Sequence, residues 1–264
     1  ETIGSGASGR NGGHLCQGWP NDFYHISNQL NPHEADLAWQ AGMAAVDMVA
    51  SRIRKHRIDC DLQFGYLHAA LHQRHLTELL AMQDEWLNRG YAHLTALTDR
   101  SALAPHINSQ SYCGGLYDER SGQIQPLKYL MGLALAARTA GACILEHSRV
   151  IKIDRGVNKT LHIQHAQPLT AGRVLLCGNA YLTDIGLPDM SRRLAQVTSS
   201  VLATTPLSDN MIQLILPSRA TVADCNTALN YFRVDADNRM IFGGRASYTN
   251  VNLGNVEADL RRRM

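Results

Sequence analysis

Segments of helical period and segments of strand-like alternation interleave irregularly along this chain, and this order limits the fold more than any single motif does. Between about residues 31 and 141 helical patterns dominate, with short strand patterns between them. After residue 142 β-branched and aliphatic residues take over, interrupted by Gly, Asn and Pro. Because no internal repeat or low-complexity linker separates the two patterns, we predict an α/β or α+β class with a mixed sheet.

The helices are marked by their ends. Asn31 as a cap, Pro32 at the first helical position and Glu34 three residues after the cap have the pattern of a capping box, and apolar residues then recur at helical spacing as far as Ile53. Further helices are predicted in "QRHLTELLAMQDEWLNRG" with Gly90 as its stop, from Asp99 to Pro105, and in "PLKYLMGLALAARTAGA" with Gly141 as its stop. The basic end, Arg261 to Arg263, is interpreted as the solvated face of another helix.

The strands are predicted from alternation and from β-branched content. They are "CDLQFGYLHAAL", "YAHLTALT", "CILEHSRVIKID", "TLHIQHA", "GRVLLCGNAYL", "AQVTSSVLATT", "LNYFRVDADNRMIFGG" and "SYTNVNL". The turn "DADN" is expected to join the two halves of the seventh segment. By contrast, "YCGGLYDERSGQIQP" has a loop-like composition and is predicted to be a loop.

A glycine-rich run near the start of the chain, "GSGASGRNGGH", places five glycines among eleven residues. Glycine is costly to order, so such a run indicates either positive φ angles or the close approach of another group to the backbone. An anionic ligand lying against exposed N–H groups is one interpretation, with Ser5, Ser8, Arg10 and Asn11 adding donors. A flexible surface turn is the other.

Composition and charge exclude several classes of protein. The chain is 45% hydrophobic and 18% charged, as in an ordinary globular protein, and its net charge of +2 argues against nucleic-acid or membrane-surface binding through bulk electrostatics. The six cysteines show no CxxC pair, and those in "VLLCGNA" and "GACILE" resemble reduced, buried thiols. No apolar run approaches the ~20 residues of a membrane span, and no signal peptide is visible. We therefore expect a cytoplasmic protein without disulfides.

The sequence does not fit two other kinds of site. His68, His72 and His75 would share one face of a continuous helix, as in a metal site, but His68 falls in a strand pattern, so no metal site is predicted. A Ser-His-Asp hydrolase would require a G-x-S-x-G elbow at a strand-to-helix turn, and the sequence contains none. We therefore predict no catalytic side-chain nucleophile.

Three separated segments fit one pattern together. In this order, "ETIGSGASGRNGG", "GACILEHSRVIKID" and "GRVLLCGNAYL" resemble the flavin-dependent amine and amino-acid oxidases of the D-amino-acid oxidase superfamily. The resemblance runs over essentially all 264 residues and includes "KHRIDCD", "DERSGQIQPLKYL" and "YFRVDADNRMIFGG". The family pattern opens with a strand, a G-x-G-x-x-G turn and a helix, and it continues beyond the last of these segments. Because the first residue is Glu1, both ends are treated as possible cuts, and the resemblance covers the middle of such an enzyme.

The resemblance implies FAD as the cofactor and gives each segment a role. The residues of the glycine-rich run that would meet the diphosphate and flavin are Ser5, Gly6, Ala7, Ser8, Arg10, Asn11, Gly12 and Gly13. The backbone of Val150 would pair with the adenine edge, although a core strand residue is the alternative. Gly178, Asn179 and Ala180 match the strand-end motif that closes over the cofactor.

The resemblance also implies an FAD-binding, Rossmann-like domain, incomplete and interwoven with an antiparallel-sheet substrate domain. Residues 1–60 and 106–190 would form the former, and residues 61–105 and 191–264 the latter. Tyr231 and Arg233, two apart on one strand and therefore on one face, are candidates to hold a substrate carboxylate, or else form an ordinary sheet surface.

The implied activity is the oxidation of a small amine or amino-acid-like substrate, with molecular oxygen as the electron acceptor. A dehydrogenase of the same fold that uses another acceptor, and a cofactor-free, non-catalytic fragment, are the alternatives. The sequence leaves the oligomeric state open.

Overall fold

The computed structural model describes residues 2–19, 23–247 and 255–264. In these ranges the strands are β1 (His14–Leu15), β2 (Gln63–Ala70), β3 (Leu94–Leu97), β4 (Gly114–Gln123), β5 (Val150–Asp154), β6 (Lys159–Ile163), β7 (Leu169–Ala171), β8 (Thr198–Pro206), β9 (Thr221–Asp224), β10 (Tyr231–Val234) and β11 (Arg239–Ser247). The α-helices are α1 (Ala7–Arg10), α2 (Phe23–Ser27), α3 (Pro32–His56), α4 (Gln73–Asn88), α5 (Arg100–Leu103), α6 (Pro126–Thr139), α7 (Pro188–Ser191), α8 (Asp209–Ile215) and α9 (Val256–Arg263). A 3₁₀ helix covers Asn179–Asp184.

The strands form two separate sheets. The larger is mixed and has the order β1-β4-β2-β9-β10-β11-β8, with β3 also paired to β4. Its β2–β9 pair is parallel, and the other pairs are antiparallel. The smaller sheet, β5-β6-β7, is antiparallel throughout. The predicted class, α/β or α+β with a mixed sheet, is confirmed.

The predicted helix ends are also confirmed. Asn31 and Glu34 form a reciprocal capping box at the start of α3, with the backbone N–H of Glu34 donating to the Asn31 side chain over 3.0 Å. Asp99 caps α5 through the backbone N–H of Ala102. Helix α9 carries the three C-terminal arginines, whose side chains are exposed.

The larger sheet is covered on both faces. On one face Leu67, Val222 and Phe232 pack against Ile212 of α8 and Leu216, which follows that helix. On the other face, Ala70 and Leu116 pack against aromatic and aliphatic side chains of α3 and α4, namely Trp39, Leu76, Leu79 and Trp86. The core of the molecule therefore lies on this sheet, and β10 is buried between its neighbours β9 and β11.

The prediction of a loop over "YCGGLYDERSGQIQP" is wrong, because β4 is an internal strand of the larger sheet. Its polar residues are satisfied inside the fold: the carboxylate of Asp118 accepts from the Tyr91 hydroxyl at 2.7 Å and from the Ser121 hydroxyl at 2.5 Å. Its glycines allow tight packing, since a Cβ on Gly122 would stand 2.0 Å from the Gln63 carbonyl oxygen. Polar and glycine-rich composition thus marks a crowded strand here.

The predicted strand over "GRVLLCGNAYL" is also wrong. Residues 172–178 have no strand assignment, and the 3₁₀ helix follows them. A strand needs a hydrogen-bonded neighbour, and the described residues place none beside this stretch, where Leu175 is 87% exposed. In "CILEHSRVIKID" only Val150–Asp154 forms a strand.

The remaining predictions had mixed outcomes. Cys143 and Cys177, predicted to be buried, are exposed free thiols, because the segments around them lie at the surface, whereas Cys60 is buried. The end of the predicted strand "SYTNVNL", from residue 248, lies outside the described residues. Among the residues that were searched, no helix is long and apolar enough to cross a membrane.

The domain boundaries remain a prediction, and β4, assigned to the FAD-binding part, pairs with β2 of the substrate part.

Candidate functional site

The glycine-rich run folds into a short, closed structure that leads into the larger sheet. Gly6 precedes α1, and the side chains of Ala7, Ser8 and Arg10 are exposed on this helix. Asn11 ends the helix: its side-chain amide donates to the carbonyls of Ala7 and Ser8 over 3.1 Å each, and its oxygen accepts from the Gly13 N–H at 2.9 Å. The segment therefore has a fixed shape.

The start of this run lies beside two later segments of the chain. The N–H of Ile3 donates to a carboxylate oxygen of Glu146 over 2.7 Å. A cavity of about 480 Å³ lies between Thr2 and Ile3 on one side and residues 144–149 on the other. The Gly6 backbone packs closely against Tyr181: a Cβ added to Gly6 would stand only 3.3 Å from the Tyr181 hydroxyl.

Val150 is the first residue of β5, an edge strand of the smaller sheet. The Arg149 carbonyl accepts from the Gln164 N–H over 2.8 Å, and Val150 stands opposite Ile163. Because successive residues direct their backbone groups to alternate sides, the N–H and C=O of Val150 point to the outer edge of the strand. Among the described residues no other strand pairs with that edge.

The residues Gly178, Asn179 and Ala180 form the entry to the 3₁₀ helix and not the end of a strand. Asn179 has a φ of +46°, and the Ala180 carbonyl accepts from the Gln196 side-chain amide over 2.8 Å. The structure therefore brings together the beginning of the glycine-rich run, the loop before Val150 and the first turn of the 3₁₀ helix.

The other end of the run, Gly12 and Gly13, is pressed against β10. A Cβ on Gly12 would stand 2.5 Å from the ring of Tyr231. The buried Arg233 donates from Nε to the Gly12 carbonyl over 2.5 Å and from Nη1 to the Gln123 side-chain oxygen over 3.0 Å. Tyr231 and Arg233 thus share one face, as predicted, and that face meets the glycine-rich run.

His14, directly after Gly13, belongs to the same cluster and was missed as a site residue. Its ring lies edge-on to the rings of Tyr66 and Tyr231, with centroid distances of 5.6 and 5.0 Å. Burial, followed by the charge of Arg233, lowers the pKa of His14 from 6.5 to about 3, so the imidazole is neutral at pH 7. Its buried Nε2 atom has no hydrogen-bond partner among the described residues. Its position next to the glycines was the only signal in the sequence.

A second cavity, of about 490 Å³, lies between the larger sheet and helices α3 and α4. Its walls combine aromatic rings with acidic and polar side chains, including Trp19, Trp39, Glu78, Glu85, Gln17 and His68. The ring of His68 lies 4.9 Å from that of Tyr66, which connects this cavity to the cluster around His14. Among the described residues no group of His, Cys, Asp and Glu is arranged to hold a metal ion.

Comparison with solved structures shows a shared fold. Glycine oxidase from Geobacillus kaustophilus superimposes with a TM-score of 0.73 at 21% identity, covering 99% of this chain and 68% of that chain. Iminodiacetate oxidase from Chelativorans superimposes with a TM-score of 0.69 at 10% identity, covering 97% and 68%.

Comparison of sequences gives nearer relatives. The chain is 34% identical over 252 residues to a probable oxidoreductase, OrdL, of Haemophilus influenzae, covering 93% of this chain and 58% of that protein. It is 32% identical over 246 residues to gamma-glutamylputrescine oxidoreductase of Escherichia coli, covering 93% and 57%. The chain thus spans less than two thirds of the length of these relatives. The model of the DAO family, described as FAD dependent oxidoreductase, matches residues 1–264. The chain belongs to the DAO family of FAD-dependent oxidoreductases.

Proposed function

We propose that this chain is part of an FAD-dependent oxidase that acts on the C–N bond of a small amine or amino-acid-like substrate of the gamma-glutamylputrescine type. In this proposal molecular oxygen is the final electron acceptor and hydrogen peroxide is formed. The observation that carries the proposal is the convergence of residues 2–6, the loop before Val150 and the turn at 178–181, since these are the three segments that the family resemblance assigns to the cofactor.

The residues present fit FAD. The run from Ser5 to Gly13 offers an exposed guanidinium at Arg10, an exposed hydroxyl at Ser8 and the N–H groups at the start of α1, which together suit a diphosphate. The proposed contacts in this run are Ser5, Gly6, Ala7, Ser8, Arg10, Asn11, Gly12 and Gly13. The outer edge of Val150 suits hydrogen bonding to the adenine. Gly178, Asn179 and Ala180 are proposed to close the site from the side of the 3₁₀ helix.

When bound, FAD would accept a hydride equivalent from the carbon that carries the nitrogen, giving an imine that water hydrolyses. The chain's own contribution is to orient the substrate. The ring of Tyr231 lies beside Gly12, and the neutral imidazole of His14 lies edge-on to that ring. The cavity next to His68 has aromatic and acidic walls, which favour an amine over an anion. In this proposal residues 1–60 and 106–190 form the FAD-binding part, and residues 61–105 and 191–264 form the substrate-binding part.

The test is to purify the protein with FAD and record its spectrum. A flavin absorption band at about 450 nm that remains with the protein after gel filtration is expected for an FAD-binding enzyme. Anaerobic addition of gamma-glutamylputrescine should bleach that band, and readmission of air should restore it with release of hydrogen peroxide. A protein that retains no flavin would contradict the proposal and favour a cofactor-free fragment.

A dehydrogenase of the same fold is the second candidate. Bleaching by the amine without reoxidation by air, but with reduction of an artificial electron acceptor, would favour it over the oxidase. Glycine and iminodiacetate should be compared with gamma-glutamylputrescine in the same assay, since structures that share the fold are named for oxidases of those compounds.

A further inference from the structure

We infer that Arg233 is a positioning residue that clamps Gly12 and Gly13 against the larger sheet and thereby fixes the cofactor segment relative to Tyr231. The inference rests on the proposed function for the meaning of the segment, and on hydrogen bonds and packing for the clamp itself. It gives Arg233 a different role from the substrate contact that the sequence pattern predicted.

The guanidinium is committed to the protein. Arg233 is only 5% exposed. Its Nε donates to the Gly12 carbonyl over 2.5 Å, and its Nη1 donates to Gln123 Oε1 over 3.0 Å. A buried arginine keeps its charge, so it is stable only where carbonyl or carboxylate oxygens receive its N–H groups. Here a backbone carbonyl of the glycine-rich run is one of these acceptors.

The glycine side of the contact is equally specific. Gly13 has a φ of +75°, a conformation that favours glycine. A Cβ on Gly13 would stand 2.2 Å from the Ile124 carbonyl oxygen and 2.9 Å from Nη2 of Arg233. The Gly13 carbonyl in turn accepts from the Ile124 N–H over 2.8 Å. Two successive carbonyls, of Gly12 and Gly13, are therefore bound from β10 and from the end of β4.

The clamp links two parts of the candidate site. Gly12 touches both Tyr231 and Arg233, which lie on the same face of β10. Loss of the guanidinium would release the Gly12 carbonyl and alter the path of the run between α1 and β1. The proposed flavin contacts would then move relative to the proposed substrate face, although Arg233 would touch neither ligand.

The experiment compares Arg233→Met and Arg233→Lys with the control Arg239→Met in the FAD-loaded protein. Arg239 begins β11 in the same hairpin, and its side chain pairs with Asp235 and Asp237 at 2.9 and 2.6 Å instead of with the glycine-rich run. The control therefore also removes a hydrogen-bonded arginine from the hairpin. Readouts are the Kd for FAD, the flavin spectrum, and KM and kcat for an amine substrate with and without a carboxylate.

We expect Arg233→Met to raise the Kd for FAD at least about tenfold, as for the loss of one charge-assisted hydrogen bond, and to shift the flavin band. Arg233→Lys should recover part of this effect, and Arg239→Met should leave the Kd unchanged. An unchanged Kd and spectrum in Arg233→Met would overturn the clamp. A rise in KM confined to the carboxylated substrate would assign Arg233 to the substrate instead.

A measurement without FAD separates this inference from the proposed function. The Ile124 amide, bound to the Gly13 carbonyl, should exchange its hydrogen faster in Arg233→Lys than in the unmodified protein or in Arg239→Met. If the unmodified protein binds no FAD, the proposed function fails, but this difference still tests the clamp. Equal exchange in all three proteins would overturn it even where FAD binds.

Discussion

The two sheets of this molecule differ sharply in how they are held. In the larger sheet all four residues of β9 are buried, and three of the four in β10. In the smaller sheet no residue of β5, β6 or β7 is buried. Since apolar burial is the main favourable term in folding, the larger sheet supplies most of the stability, and the smaller sheet has little packing of its own.

This difference divides the candidate cofactor site. Gly12 and Gly13 are hydrogen-bonded to the larger sheet or to the residue after β4. Val150, in the smaller sheet, and the turn at 178–180 contain no buried residue. Segments with few buried contacts open at low free energy, and a ligand that binds their closed form stabilises them. We therefore expect FAD binding to act mainly on the second group.

The largest contrast should come from the same substitution in the two sheets. Leu67 on β2 is fully buried, and Leu169 on β7 is 48% exposed. Leu67→Ala removes packed methyl groups and should lower the free energy of unfolding by about 3 kcal/mol. Leu169→Ala should lower it by less than about 1 kcal/mol. Urea unfolding of both variants checks this, and equal losses would remove the distinction between the sheets.

A pair of glycines sharpens the contrast. Gly13 and Gly141 both have positive φ, +75° and +91°, but a Cβ on Gly141 would meet nothing within 4 Å. Gly141→Ala should therefore cost only the backbone strain, about 1 kcal/mol. Gly13→Ala adds a clash with the Ile124 carbonyl and should cost at least about 2 kcal/mol. Thermal unfolding gives both values, and similar losses would show that the Gly13 contact is loose.

The effect that is smallest near neutral pH concerns acid stability. The folded pKa of His14 is lowered from 6.5 to about 3, chiefly by burial. Between these values the unfolded chain binds a proton that the folded chain does not, so stability falls as the pH falls from 6.5, by up to about 1.4 kcal/mol per pH unit. His14→Gln should flatten this part of the pH dependence of the free energy of unfolding.

His165→Gln, at an exposed position just after β6, is the control for replacing a histidine by glutamine elsewhere in the chain. An identical pH dependence in the unmodified protein and in His14→Gln would mean that the imidazole is hydrated in the folded state.

Local signals predicted much of the fold. The cap, proline and capping box of Asn31 to Glu34 are complete within four residues, and the hairpin around "DADN" is read from a turn between two alternating strands. The wrong predictions concern segments whose structure depends on residues far away in the sequence. The polar and glycine residues of β4 are explained only by Tyr91, Gln63 and other distant neighbours, and "GRVLLC" lacks a neighbouring strand among the described residues.

The candidate site followed the same rule. The glycine-rich run was found from composition, but the sequence separation between Gly12 and Arg233 hid their contact. The spacing of Tyr231 and Arg233 on β10 predicted that their side chains share one face of the strand. It did not predict that the Arg233 guanidinium would be hydrogen-bonded to the backbone of the glycine-rich run. His14 was overlooked because a histidine after glycines has no distinctive spacing.

The central claim, that the run from Ser5 to Gly13, Val150 and residues 178–180 bind one FAD, is tested most directly by amide hydrogen exchange with and without FAD. Slower exchange is predicted in all three segments, most strongly around Val150 and residues 178–180, with little change in β2, which is already buried. Bound FAD that protects other segments and leaves these three unchanged would contradict the account.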